Sequence, residues 1–123
     1  MRLKVLAQQL AVCRLDAGAE LSGLVPKGDF WSLTRTREEV SLVCAPEWVP
    51  CGARCEAGWR CLQVEGPLDF SLVGILAGLA GQLAAAGVSL FALSTFDTDY
   101  LLVKEASLPA ALDALRAGGH TIA

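Results

Sequence analysis

Two twelve-residue segments of this chain, 32–43 and 92–103, align without a gap sixty positions apart. Leu33 lies over Leu93, Leu42 over Leu102 and Val43 over Val103, while Thr34/Ser94 and Glu39/Asp99 are close in kind. In each copy two apolar, β-rich runs flank a polar turn, which is the pattern of a hairpin. A duplicated hairpin within 123 residues leaves room for two small modules and little else. The connection leading into the first hairpin is about 12 residues shorter than that leading into the second, so the first copy has lost or shortened a helix. The expected division is a degenerate module over 1–57 and a complete one over 58–123.

Leu10-Ala-Val-Cys-Arg-Leu15 reads as a first strand, and residues 16–29, with Gly18, Gly23, Pro26 and Gly28, as turns. Residues 30–36 and 40–44 are the strands of the first hairpin, and 46–58 a connecting loop. The second half opens with a strand over 59–65. Gly66-Pro67 then turns the chain into a helix over 68–86, along which Leu68, Leu72, Ile75, Leu76, Leu79 and Leu83 recur at helical spacing. A strand over 88–96, a tight turn at 97–99 and a strand over 100–104 follow. Ser107 is expected to cap a second helix with Pro109 in its first turn, ended by Gly118-Gly119 before a short last strand. The order β-α-β-β-α-β is that of the α+β ferredoxin-like plan.

Apolar residues make up 54% of the chain, which excludes intrinsic disorder. Residues 70–96 carry no charged side chain, a length able to cross a bilayer, and contain Gly74-x-x-x-Gly78. Ser71, Gln82 and several glycines fall on the other helix faces, however, and neither flank carries a basic cluster. Helix plus buried strand therefore accounts for the run, Gly74 and Gly78 permitting close helix packing, and no membrane partner is expected. Net charge is −3, and residues 62–123 hold two basic against six acidic side chains, a poor surface for nucleic acid. Trp31, Trp48 and Trp59 accordingly read as core or interface anchors.

Five cysteines, at 13, 44, 51, 55 and 61, cannot all pair within one chain. With no signal-peptide core behind Met1, free thiols in a reducing cytoplasm are the expectation. Cys51, Cys55 and Cys61 lack a nearby His to complete a zinc site, so no metal and no other cofactor is expected. His120, the single histidine, follows a Gly-Gly helix stop and has no evident nucleophile beside it, so no catalytic residue is assigned.

The run Trp59-Arg-Cys-Leu-Gln-Val-Glu-Gly-Pro-Leu-Asp-Phe70, followed by Gly74-Ile-Leu-Ala77 and by residues 91–103, resembles the paired ACT-domain proteins. That family is related to the regulatory domains of aspartate kinases and to the eukaryotic cytosolic arginine sensor. Residues 25–36 and 38–43 share the resemblance, whereas 45–58 match nothing in it. The resemblance implies two tandem ferredoxin-like ACT modules, the first degenerate, in a non-enzymatic, allosteric regulatory protein. It implies an amino acid or similar small metabolite bound at an ACT–ACT interface. The implied ligand residues are Glu65, Gly66, Pro67, Leu68, Asp69 and Phe70 with Ser94, Thr95, Phe96, Asp97, Thr98 and Asp99.

Elementary chemistry gives such a site a rationale of its own. Free N–H groups at a helix start suit a carboxylate, Asp97 or Asp99 suits an ammonium, and Gly66 allows close approach to the backbone. The plain alternative is a polar hairpin turn and an acid at a helix start. An exposed sheet edge leads to the expectation of a homodimer. The competing function is a protein–protein regulatory module without a small ligand, for which Phe70, Leu93 and Phe96 would fill the pocket.

Overall fold

In a computed structural model of the chain, the described residues are 1–66, 69 and 73–123. The elements run β1 (Arg2–Asp16), β2 (Ser32–Arg35), β3 (Glu39–Cys44), β4 (Arg54–Val64), α1 (Ile75–Ala85), β5 (Phe91–Ser94), β6 (Asp99–Lys104), α2 (Leu108–Ala117) and β7 (Thr121–Ile122). They form two compact units, Gln8–Trp59 and Met1–Ala7 with Arg60–Ala123, and the division falls inside β1 and inside β4. No helix among the described residues is long and apolar enough to cross a membrane.

The Gln8–Trp59 unit is built on strands. β3 lies antiparallel between β1 and β2, with Cys13 opposite Leu42 and Leu33 opposite Leu42 on the other side. One buried cluster in it joins Ala11, Cys13, Leu42 and Cys44, with Leu33, Val49 and Ala53 packed against them, and Leu10, Val40 and Val43 are buried as well. The unit holds no α-helix, only 3-10 turns at Leu21–Gly23 and Pro46–Trp48. The Gly and Pro residues between β1 and β2 explain why, since each raises the cost of a helical turn.

In the other unit the succession β4-α1-β5-β6-α2-β7 is the expected ferredoxin-like one. Its core gathers Leu3, Leu62, Val64, Leu79, Leu83, Val88, Leu101, Val103, Ala111 and Leu115. Leu3 is there because the start of β1 belongs to this unit: Arg2 and Leu3 pair in parallel with Thr121 and Ile122 of β7. On the other side the Glu65 N–H donates to the Arg2 carbonyl at 2.9 Å, so the hydrogen-bonded order is β7-β1-β4-β6-β5. Sequence reading began the first strand at Leu10, because Lys4, Gln8 and Gln9 obscure the alternation that buries Leu3 completely.

Four further expectations are corrected. α1 begins at Ile75, not at 68, because Gly74 at φ +78° sits in the left-handed region and cannot lie inside a right-handed helix. Ser107 makes no capping hydrogen bond; the chain enters α2 through a 3-10 turn over Glu105–Ser107. β4 starts at Arg54, inside the stretch read as a loop. A Cβ added to Gly78 would meet nothing within 4 Å, so that glycine serves no close packing among the described residues.

The register also revises the internal repeat. Ser32 pairs with Val43 in one hairpin and Phe91 with Leu102 in the other, an offset of 59 rather than 60. The turns agree: the Thr36 N–H bonds the Glu39 carbonyl at 2.9 Å, and the Thr95 N–H bonds the Thr98 carbonyl at 2.8 Å. Core-facing Leu42 and Cys44 then correspond to core-facing Leu101 and Val103. The gapless alignment matched Leu42 with Leu102, which a one-residue slip puts on the opposite face.

Candidate functional site

Two pieces of backbone in the larger unit face one another across an open cleft of about 340 Å³. One is the start of α1, where Gly74, Ile75, Leu76 and Ala77 line the wall; the other is the β5–β6 turn, residues 94–99. Asp69 completes the lining among the described residues. The Gly78 N–H closes the first helical bond on the Gly74 carbonyl at 2.8 Å, so the N–H groups of residues 75–77 have no intrahelical acceptor. Those donors and the positive end of the helix dipole make one wall suited to an anion. The opposite wall carries carboxylates.

The turn is held rigidly. The Thr98 hydroxyl is buried and donates to the Val64 carbonyl at the end of β4. The Thr95 hydroxyl donates to the Thr98 carbonyl at 3.1 Å and accepts from the Thr98 N–H at 3.3 Å. Ser94 donates to Asp99 Oδ1 at 2.6 Å, across the last rung of the hairpin. Ser94 and Thr95 thus spend their hydroxyls on the turn itself, and Thr98 spends its hydroxyl on the end of β4. On the turn, Asp97 and one oxygen of Asp99 are the acidic groups left to face the cleft, and Asp69 adds a further carboxylate to its lining. The Tyr100 phenol on β6 is held above its ordinary pKa by burial first, then by Cys61 and by the Asp97 carboxylate.

Of the twelve site residues expected from the sequence, Asp69, Ser94, Thr95, Phe96, Asp97, Thr98 and Asp99 line this cleft. Glu65 instead pairs with Arg2 at 3.2 Å, and neither it nor Gly66 is in the lining. Pro67, Leu68 and Phe70 lie outside the described residues. The residues missed were 74–77: the apolar stripe runs back to Leu68 and so concealed where the helix begins. Gly74 was the available signal, since a glycine before an apolar run suits a helix boundary. Phe96 is 80% exposed and does not plug the cleft.

A family model described as "ACT domain" matches residues 54–117, and a second model, for an N-terminal domain, matches residues 8–51. The human cytosolic arginine sensor for mTORC1, subunit 1, is 41% identical over 59 residues, a match covering 47% of this chain and 18% of the sensor. The chain therefore matches less than a fifth of the length of that curated relative. A crystal structure of an Agrobacterium tumefaciens protein superposes with a TM-score of 0.91 at 34% identity, covering 99% of this chain and 91% of that one. The regulatory subunit of aspartate kinase from Thermus flavus is similar in fold alone, at a TM-score of 0.66 and 10% identity, over 94% of this chain and 95% of that one. With the matched module spanning the cleft and over half of the sequence, the chain belongs to the ACT-domain family.

Proposed function

We propose that this chain is a non-catalytic regulatory protein whose C-terminal unit binds an amino acid or similar small zwitterion in the cleft between α1 and the β5–β6 turn. One observation carries the reading: the backbone donors of residues 75–77 and the carboxylates of Asp97 and Asp99 line one and the same cavity. A ligand carboxylate fits the donors and an ammonium the two aspartates, each through charge-assisted bonds. An arginine sensor among the relatives supports the class of function. The cleft is open to solvent, with Phe96 standing out of its turn, and the proposal includes a second copy of the chain closing it as an ACT–ACT interface. The intracellular setting follows from the same proposed role, and neither nucleic acid nor membrane enters it.

The test is thermal unfolding of the purified protein with each of the twenty amino acids at millimolar concentration. A ligand present at about 100 times its Kd adds roughly 2.7 kcal/mol, enough to raise Tm by several degrees. A selective rise, lost in Asp97→Ala, is the expected result. No rise with any amino acid, from protein shown to carry no co-purified ligand, would favour the protein–protein module instead.

A further inference from the structure

Four of the five thiols lie in the Gln8–Trp59 unit, and three of them meet. Cys13 on β1 and Cys55 on β4 stand with their sulfurs 3.5 Å apart. Cys44 on β3 lies beside Cys13, close enough for a hydrogen bond between the two thiols. All are free. Exposure divides them: Cys13 is 2% exposed, Cys44 is fully buried, and Cys55 faces solvent. A disulfide needs the sulfurs at about 2.05 Å, so closing the Cys13–Cys55 gap takes a side-chain adjustment of about 1.5 Å.

We propose that Cys13 and Cys55 form a reversible dithiol–disulfide site, with solvent-facing Cys55 as the entry thiol and buried Cys13 as the resolving one. The co-reactant is a low-molecular-weight disulfide, RSSR. The Cys55 thiolate attacks one sulfur of RSSR, forming a Cys55–SR mixed disulfide and expelling RS⁻. The Cys13 thiol loses its proton to water, and its thiolate attacks Cys55 Sγ, forming the Cys13–Cys55 bond and expelling the second RS⁻. Two protein thiols are oxidised, one RSSR is reduced to two RSH, and the two protons pass to the leaving thiolates.

The surroundings set the order of events. Burial, reinforced by Cys55, pushes the Cys13 thiol up to about 12, which suits a group that reacts only with a partner already held against it. Cys61, buried in the other unit and pushed to about 12 by burial alone, has no such neighbour among the free thiols and stays inert. The closed bond would tie β1 to β4 beside the cluster of Ala11, Leu42 and Cys44, and a covalent link there restrains local opening of the unit.

The experiment equilibrates the full chain in oxidised and reduced glutathione buffers, quenches with an alkylating reagent, and reads intact mass and peptide maps. The expected result is a species that has lost two hydrogens and carries the Cys13–Cys55 linkage, reverts with dithiothreitol, and is absent in Cys55→Ser. Cys51→Ser, changing the neighbouring exposed thiol, should leave it in place. Both variants alter exposed positions, so failure to fold does not confound them. A stable glutathione adduct on Cys55 without the linkage, a Cys51–Cys55 bond, or no reaction would each overturn the proposal.

Discussion

The two hairpins share a register, a four-residue turn closed by a threonine, and core-facing residues in the same places, yet they differ in what stands opposite the turn. Thr36 accepts from the N–H groups of Glu38 and Glu39 as Thr95 accepts from that of Thr98. In the larger unit the turn looks across a cleft at the donor end of α1. In the smaller unit the corresponding hollow is lined by Ala17, Arg35, Thr36 and Arg37, and Arg35 spends its Nη2 on the Ala17 carbonyl at 3.1 Å. The hairpin supplies a rigid frame in both. What distinguishes the candidate site is the helix start that one unit has and the other lacks, together with the change from Arg37 and Glu38 to Phe96 and Asp97 at matched turn positions.

The largest expected effect tests how each frame is held. Leu3→Ala removes a fully buried side chain from the core of the larger unit and should destabilise by about 2–5 kcal/mol in a urea titration. Hydrogen exchange should quicken at Leu62 and Leu101, which share that core. Leu42→Ala should instead expose amides around Ala11 and Cys13, in the other core. If Leu3→Ala leaves Leu62 and Leu101 unchanged, the start of β1 does not belong where its pairing with β7 puts it.

Next comes the difference between the turns. Asp97→Ala should weaken ligand binding at least about tenfold, the loss expected for one charge-assisted bond. Glu38→Ala, at the matched position of the first hairpin, should leave the affinity unchanged. Equal effects from both variants in calorimetry would remove the distinction between the two turns.

Smaller again are two glycine exchanges on α1. Gly74→Ala forces a Cβ into φ +78° and should cost about 1–2 kcal/mol. Gly78→Ala, in open space inside the helix, should stabilise by about 0.5–1 kcal/mol in thermal unfolding. A loss at Gly78 would mean that another surface, such as a second copy, packs against that face.

The smallest effect is a pH dependence. His120 is held below its ordinary pKa by burial first and then by the Met1 amino group, whose nitrogen lies 3.0 Å from His120 Nδ1. Because the folded state favours the neutral ring, its contribution is present above about pH 6.5 and is lost as pH falls through the lowered folded value. His120→Gln should flatten that part of the stability profile, and an unchanged acid slope would contradict the assignment.

Much of this plan was legible from residues. Alternating runs gave both hairpins, and Leu108, Leu112 and Leu115 with Gly118-Gly119 gave α2. What stayed hidden has a common cause: patterns that fit two registers. The Leu-Leu-Val and Ser-Leu-Val runs match at offset 59 or 60, and only the hydrogen bonds of the turns decide between them. The stripe Leu68, Leu72, Ile75, Leu76 continues across Gly74, whose left-handed backbone is invisible to periodicity. Asp97 and Asp99 were named from the family resemblance, since local turn chemistry alone reads them as a polar turn, and both line the cleft. The wall opposite them depended on where the helix began.

The most direct test of the cleft as a ligand site is an amide NMR titration with the twenty amino acids in pools. Binding there predicts saturable shifts confined to residues 74–77 and 94–99, absent in Asp97→Ala. Shifts centred instead on Arg35 and Arg37, or none in any pool, would contradict it.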